Sequence, residues 1–186
     1  MFYKYITIGI THVLPGGVDH ILFIISLFFL SPTLKAIIKQ SLVFTVAHCI
    51  TLLLGAFSII PNWPDIIEPF IAFTILSTAL LNLYTNKSNI SSYKYVMPFL
   101  FGLIHGLGFA SALREIGIPK SEFVFALLSF NIGVELAQIM IIGSLFYLVF
   151  KPFSNKAYYR KLIIYPINVI IAIVALYMFI DRIAII

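Results

Sequence analysis

Long apolar runs, broken at intervals by proline, glycine and asparagine, are the dominant pattern of this chain. Six runs reach the roughly 20 residues that a helix needs to cross a bilayer, at about 4–30, 34–59, 65–85, 93–115, 120–150 and 160–184. Between them stand Ser31-Pro32, Pro61-Asn62-Trp63-Pro64, Asn86-Lys87-Ser88-Asn89, Ile116-Gly117-Ile118-Pro119 and the polar stretch from Lys151-Pro152 to Arg160. Proline removes a backbone donor and glycine adds freedom, so these stretches read as turns. The pattern predicts an all-α polytopic membrane protein, a bundle of about six transmembrane helices forming a single transmembrane domain over 1–186. The first run is special. Pro15-Gly16-Gly17 lies inside it, which predicts a first helix broken at that point. In lipid, broken backbone survives only where it is buried in protein or lines a cavity, and transporters often keep their sites at such breaks.

Composition agrees with the pattern. Of 186 residues, 61% are hydrophobic and 10% charged, with a mean hydropathy of +1.07. A soluble domain carries about 25% charged residues, so this chain has no polar shell with which to cover a water-soluble globule. A net charge of +5 would point to nucleic acid in a soluble protein; here it reports topology, and no nucleic-acid partner is expected. With alternating spans, Lys35, Lys39, Lys87, Lys94, Lys151, Lys156, Arg160 and Lys161 share one side without an acidic neighbour. Lys4, Arg114, Lys120 and Arg182 fall on the other, mixed with Asp65, Glu68, Glu115, Glu122 and Asp181. The positive-inside rule makes the first side cytoplasmic and puts both termini outside, as in a bacterial inner membrane. Cys49 is the single cysteine, which excludes an internal disulfide and a thiolate cluster. The N-terminus does not read as a signal peptide: Lys4 is a thin basic region, and Asp19-His20 interrupts the apolar run.

Candidate chemistry sits in the spans themselves. All four histidines, His12, His20, His48 and His105, fall inside them, as do the carboxylates Asp19 and Glu135. Ionisable groups cost roughly a few kcal/mol or more at membrane depth and read by default as functional. At about 1.5 Å per helical residue, the six side chains come from four helices to similar depths between the midplane and the outer leaflet. Taken singly, each has a bland alternative. A histidine in a bundle serves as an interhelical hydrogen bonder, His48 through Thr45 for example, and Gly102 and Gly106 beside His105 allow close helix packing without chemistry. Asn131, Glu135 and Gln138 share one helical face, yet a glutamate is poor interhelical glue in lipid. Jointly, the set reads as a metal site. His12, Asp19, His20, His48, His105 and Glu135 are the candidate ligands, with Thr45, Thr51, Asn131 and Gln138 as supporting polar groups. Asp19 can instead fix a histidine tautomer as a hydrogen-bonded carboxylate. Imidazole and carboxylate without thiolate suit Zn, Ni, Co, Fe or Mn better than Cu(I). Glu68 reads as a helix-start carboxylate that can line the entrance, and Asn82, Tyr84 and Tyr93 as interfacial residues.

At these motifs the chain resembles the HupE/UreJ family of hydrogenase and urease accessory membrane proteins, which are associated with nickel. The matching stretches are Gly9-Ile10-Thr11-His12, Gly17-Val18-Asp19-His20-Ile21-Leu22-Phe23, Phe44-Thr45-Val46-Ala47-His48 with Thr51-Leu52, Phe101-Gly102-Leu103-Ile104-His105-Gly106 with Gly108-Phe109-Ala110, and Phe130-Asn131-Ile132-Gly133-Val134-Glu135 with Gln138. Nickel/cobalt permeases share a looser feature, a histidine followed by Asp-His on one span; their spacing is H-x4-D-H, whereas six residues separate His12 from Asp19 here. The resemblance implies nickel or a related divalent ion, with Ni, Co and Zn all open.

Three functions follow. The first is membrane transport or handling of a divalent metal, driven by a gradient or by partners, since no nucleotide-binding loop is present. The second is a metal-dependent intramembrane hydrolase with a zinc-type site open to the outer leaflet and Glu135 or Asp19 as general base. The third is a metal-sensing or scaffolding subunit. Beyond the lipid bilayer and a metal ion, a homo-oligomer and accessory metalloprotein partners stay open. The orientation is tested first. In a Cys49→Ala background, a cysteine at Tyr3 is expected to react with a membrane-impermeant maleimide on intact cells, and one at Lys156 only after lysis; the opposite pattern overturns it.

Overall fold

The computed structural model describes residues 2–30, 33–60, 63–84, 93–115 and 122–184, and these are helical, without a strand. The predicted turns at Ser31-Pro32, Asn86–Asn89 and Ile116–Pro119, with Pro61-Asn62 of another, lie outside the described residues. In chain order the elements are α1 (Phe2–Val13), α2 (Val18–Leu30), α3 (Leu34–Ala56), α4 (Pro64–Tyr84), α5 (Tyr93–Glu115) and α6 (Phe123–Leu145). A π-helical turn (Phe146–Phe150), α7 (Lys151–Phe153), a second π-helical turn (Arg160–Ile164) and α8 (Tyr165–Ile183) follow. The described part of each of the six predicted runs is therefore mainly helical. By length and hydropathy four helices can cross a bilayer, or five if the bent pair α1–α2 is one span, while the apolar part of α5, Lys94–Phe109, is shorter.

Local chemistry sets the ends. Thr33 at the start of α3 is extended (φ −140°, ψ 143°), and its hydroxyl accepts from the Ala36 amide at 3.3 Å, the N-cap geometry that satisfies one of the first free helix donors. Pro64 opens α4, where its missing N–H costs nothing, and Asp65 sits against the positive end of the helix dipole. At Leu14–Gly17 the chain turns, and α1 and α2 meet at 71°.

The principal helix pairs are α3 with α5, α4 with α8 and α1 with α6. Glycines let the first and last of these approach closely. A Cβ at Gly102 would strike the Phe44 carbonyl, and one at Gly106 the His48 carbonyl and Thr51 hydroxyl; Gly9 and Gly133 face each other in the same way across α1 and α6. The outward faces are apolar: Leu42, Val46 and Ile50 on α3, Leu128, Ile132, Leu136 and Ile139 on α6, and Ile173, Leu176 and Ile180 on α8 are all exposed. Three- and four-residue spacing makes each set a continuous stripe, which suits lipid and not water.

One buried polar cluster ties α2, α4 and α8 together. Asn82 Nδ2 donates to the Ser26 carbonyl at 2.7 Å and to Asn168 Oδ1 at 2.9 Å, while Asn168 Nδ2 donates to the Ile164 carbonyl. Asn82 is thus an interior residue, 4% exposed, and not the interfacial one its position near a span end predicts. Tyr84, 83% exposed, keeps that reading; the Tyr93 side chain lies outside what is described. Because Asn82 meets Asn168 and Arg182 reaches Glu68 at 3.0 Å, α4 and α8 run antiparallel.

The glycine seam is testable. Gly106→Leu is expected to cost about 1–3 kcal/mol by overpacking α3 against α5. Gly143→Ala, where a Cβ meets nothing within 4 Å, is expected to leave the melting temperature in detergent unchanged or raised.

Candidate metal centre

His12 lies at the C-terminal end of α1 and His20 in the first turn of α2. The bend between those helices brings their rings to 4.6 Å between centroids. His105 enters from α5, its ring centroid 3.9 Å from that of His20 and 5.9 Å from that of His12. One potential ligand atom from each of the three lies within 4.8 Å of the others, which is close enough for a single ion to be held by all three. Among the described residues no other group of three such side chains meets this distance. His48, on α3, stands beside them at 6.0–6.4 Å between ring centroids.

Burial makes this arrangement chemically pointed. His20 is 1%, His48 0% and His105 6% exposed. His12 Nε2, His20 Nε2, His48 Nε2 and His105 Nδ1 are buried without a hydrogen-bond partner. A buried polar atom left unpaired costs roughly 1–3 kcal/mol, so several converging on one place is a departure that packing alone does not reward. For His48 the tautomer follows from its neighbour. Asn131 Nδ2 donates to the Leu127 carbonyl at 2.9 Å, leaving Oδ1 to accept from His48 Nδ1 at 3.2 Å. Nδ1 therefore carries the proton, and the unpartnered Nε2 presents its lone pair.

Aromatic rings close two sides. Phe101 stacks on Phe23 at 3.8 Å between centroids and lies 5.1 Å from His105, and Phe44 packs edge-on to His20. Phe109 and Phe130 stack at 5.0 Å, with Phe109 4.0 Å from His12. On the remaining side is a cavity of about 270 Å³, lined by His12, His20, His105, Asp19, Met178 and Arg182 among others.

The other residues singled out by sequence go to different places. Asp19 lines the cavity, but its oxygens bond Arg182 Nη2 at 3.0 and 3.3 Å and not a histidine. Glu135 lies apart from the three imidazoles, between α6 and α3. Its Oε2 accepts from Thr45 at 2.5 Å and its Oε1 is 3.0 Å from Ser41 Oγ. Gln138 Oε1 is 2.6 Å from that same Ser41 hydroxyl. Thr51 bonds the Ala47 carbonyl and faces the α3–α5 seam rather than the cavity. Glu68, read as a helix-start carboxylate that can line the entrance, lies near the start of α4 with its carboxylate 3.8 Å from Arg182 Nε.

Sequence reasoning passed over Arg182 and Met178 as lining residues, and Ser41 and Gln40 as polar neighbours. For Arg182 a signal existed: a basic residue at the end of an otherwise apolar last span has to meet a partner or water.

Gly17 fixes the spacing of the histidines. A Cβ there would fall against the His12 carbonyl and the His20 imidazole. Gly17→Ala is expected to displace the His20 ring and weaken metal binding by tenfold or more, a loss of the size seen when the support of a ligand is disturbed. Helix content by circular dichroism should not change. Wild-type affinity in Gly17→Ala would show that His20 is not positioned by this turn.

No curated protein and no solved structure matches the chain. A family model described as HupE/UreJ protein matches residues 1–182, essentially the whole of it. The chain belongs to the HupE/UreJ protein family.

Proposed function

We propose that this protein takes up a divalent metal ion of the nickel or cobalt type on His12, His20 and His105 and passes it through the membrane. One observation carries the reading: three imidazoles from three helices offer ligand atoms within 4.8 Å of one another, and each keeps a buried ring nitrogen without a protein partner. Imidazole donors suit Ni, Co and Zn, and geometry rather than raw affinity separates these metals.

A route onward supports transport. From His48 and Asn131, polar side chains continue along α3 and α6 through Thr45, Glu135, Ser41 and Gln138. Gln40, one residue from Ser41, donates to the Lys94 carbonyl at 2.8 Å. This line runs toward the end of the bundle that bears Lys35 and Lys94. Oxygen donors of this kind bind a borderline ion more weakly than imidazoles do, which suits release.

The second reading, a metal-dependent intramembrane hydrolase, has an observation of its own. Phe23, Phe44 and Phe101 pack against one another beside His20 and His105, while the cavity opens beside Asp19. In that case a metal-bound water would supply the nucleophile, and Asp19 would be the base within reach of the cavity.

Elemental analysis of detergent-purified protein tests the shared claim. Wild type loaded with Ni²⁺ and dialysed is expected to retain about one equivalent, and His20→Ala/His105→Ala none; wild type without metal ends both readings. Uptake of Ni²⁺ into proteoliposomes then separates them. Glu135→Gln is expected to keep bound metal and lose most uptake. Metal bound by wild type with no uptake at all overturns transport, and hydrolytic turnover then separates the hydrolase from a sensing or scaffolding subunit.

A further inference from the structure

The mouth of the histidine cavity carries a cation of the protein's own. Arg182, in the last turn of α8, reaches across to two other helices. Its Nη2 donates to both oxygens of Asp19 on α2, at 3.0 and 3.3 Å. Its Nη1 donates to the Glu68 carbonyl on α4 at 3.0 Å, and its Nε lies 3.8 Å from the Glu68 carboxylate. The Asp19 and Arg182 side chains are each 18% exposed, and both line the cavity together with His12, His20 and His105.

Among the described residues, the two carboxylates Asp19 and Glu68 face the one guanidinium of Arg182 here. A divalent cation arriving from the open side meets Asp19 before it meets the imidazoles, and finds its oxygens occupied. Attraction to a carboxylate scales with charge, so a dication competes with the guanidinium where a monovalent ion does not. A guanidinium leaves an ion pair by swinging away on its flexible stem rather than by losing a proton. Asp19 is adjacent in sequence to His20, so an ion held by the freed carboxylate is one residue from the histidines.

We propose that Arg182 is a surrogate cation that holds Asp19 at the cavity mouth and is displaced by the incoming divalent ion, so that Asp19 serves guanidinium and metal in turn. The proposal rests on the metal-handling reading of the three histidines. It makes Arg182 a positioning residue that sets the threshold for capture and favours dications. A purely mechanical role, stapling α8 to α2 and α4, would instead leave metal affinity unmoved when the charge is removed and lower only thermal stability.

The test is calorimetric titration of the full-length, detergent-purified chain with Ni²⁺ alone. Arg182→Gln is expected to bind on the order of tenfold more tightly than wild type, because a partly buried ion pair no longer has to be broken. Asp19→Asn is expected to bind more weakly, and Arg182→Gln to gain clearly less affinity in an Asp19→Asn background than in the wild type, since the arginine competes mainly through that carboxylate. Arg182→Lys, which keeps the charge and loses the fork, should fall between wild type and Arg182→Gln. Unchanged or weaker binding by Arg182→Gln, with histidine-dependent binding intact in the wild type, overturns the proposal and leaves the metal reading standing. Should Arg182→Gln fail to fold, Asp19→Asn and Arg182→Lys decide: wild-type affinity in both overturns it. Wild type that binds no Ni²⁺ through its histidines removes the metal reading and this proposal with it.

Discussion

Buried imidazole nitrogens need partners, and the turn at Leu14–Gly17 brings those of His12 and His20 beside that of His105 from α5, where the protein supplies none. Much of the architecture follows from that turn. The 71° bend between α1 and α2 puts His12 at the end of one helix and His20 at the start of the next, on the same side of the chain. An unbroken helix would separate them by eight residues, about 12 Å along its axis. The break has to be covered, because loose backbone in lipid leaves donors and acceptors unpaired. Helices α5 and α6 provide part of the cover, through His105 and through the Phe109–Phe130 stack. The glycine seams follow from the same demand, since α1 settles on α6, and α5 on α3, only where a side chain is absent.

Polar groups elsewhere in the bundle are sorted by whether their hydrogen bonds are complete. Ser26, Asn82 and Asn168 bond one another and nearby carbonyls, and this cluster behaves as interhelical glue between α2, α4 and α8. The histidines are the opposite case, with ring nitrogens left over. The Glu135 group is intermediate: Oε2 accepts from Thr45, Oε1 shares the single Ser41 hydroxyl proton with Gln138 Oε1, and Gln138 Nε2 and Gln40 Oε1 have no partner. Satisfaction of hydrogen bonds, more than residue type, separates structural polarity from chemistry in a membrane interior.

Much of this was legible in the sequence because lipid is an unforgiving solvent. Hydropathy located the helical segments, and Pro15-Gly16-Gly17 announced the break in the first. The spacing of His12, His20 and His105 within their spans placed them at one depth. Depth is one coordinate, however, and contact also needs the rotation of each helix and its neighbours. Glu135 reads at a depth similar to the histidines, but it bonds Thr45 and Ser41, which precede His48 on α3 by about one and two turns, because the α3–α6 pairing sets its level and direction. Asn82 read as interfacial from its place near a span end, whereas its partners on α2 and α8 come from sequence positions 56 and 86 residues away. Arg182 was filed with the charges of one membrane side, and nothing in its local sequence pointed across to Asp19.

The two sides of the histidine cluster are built differently, and that asymmetry bears on direction. Toward Arg182 there is open volume edged by charge. Away from it Phe23, Phe44 and Phe101 pack against one another, and a polar line runs through His48 and the α3–α6 groups. An ion taking that path would exchange nitrogen ligands for oxygen ligands as it moved off the site. His48 is the natural point of exchange. Its Nδ1 is tied to Asn131, its Nε2 is free, and it stands about 6 Å from the other three rings. His48 is not in the group whose ligand atoms lie within 4.8 Å of one another, so it joins that set only by moving. On the proposed reading, the histidine tied to Asn131 is where the path turns from imidazole ligands to the oxygen groups of α3 and α6.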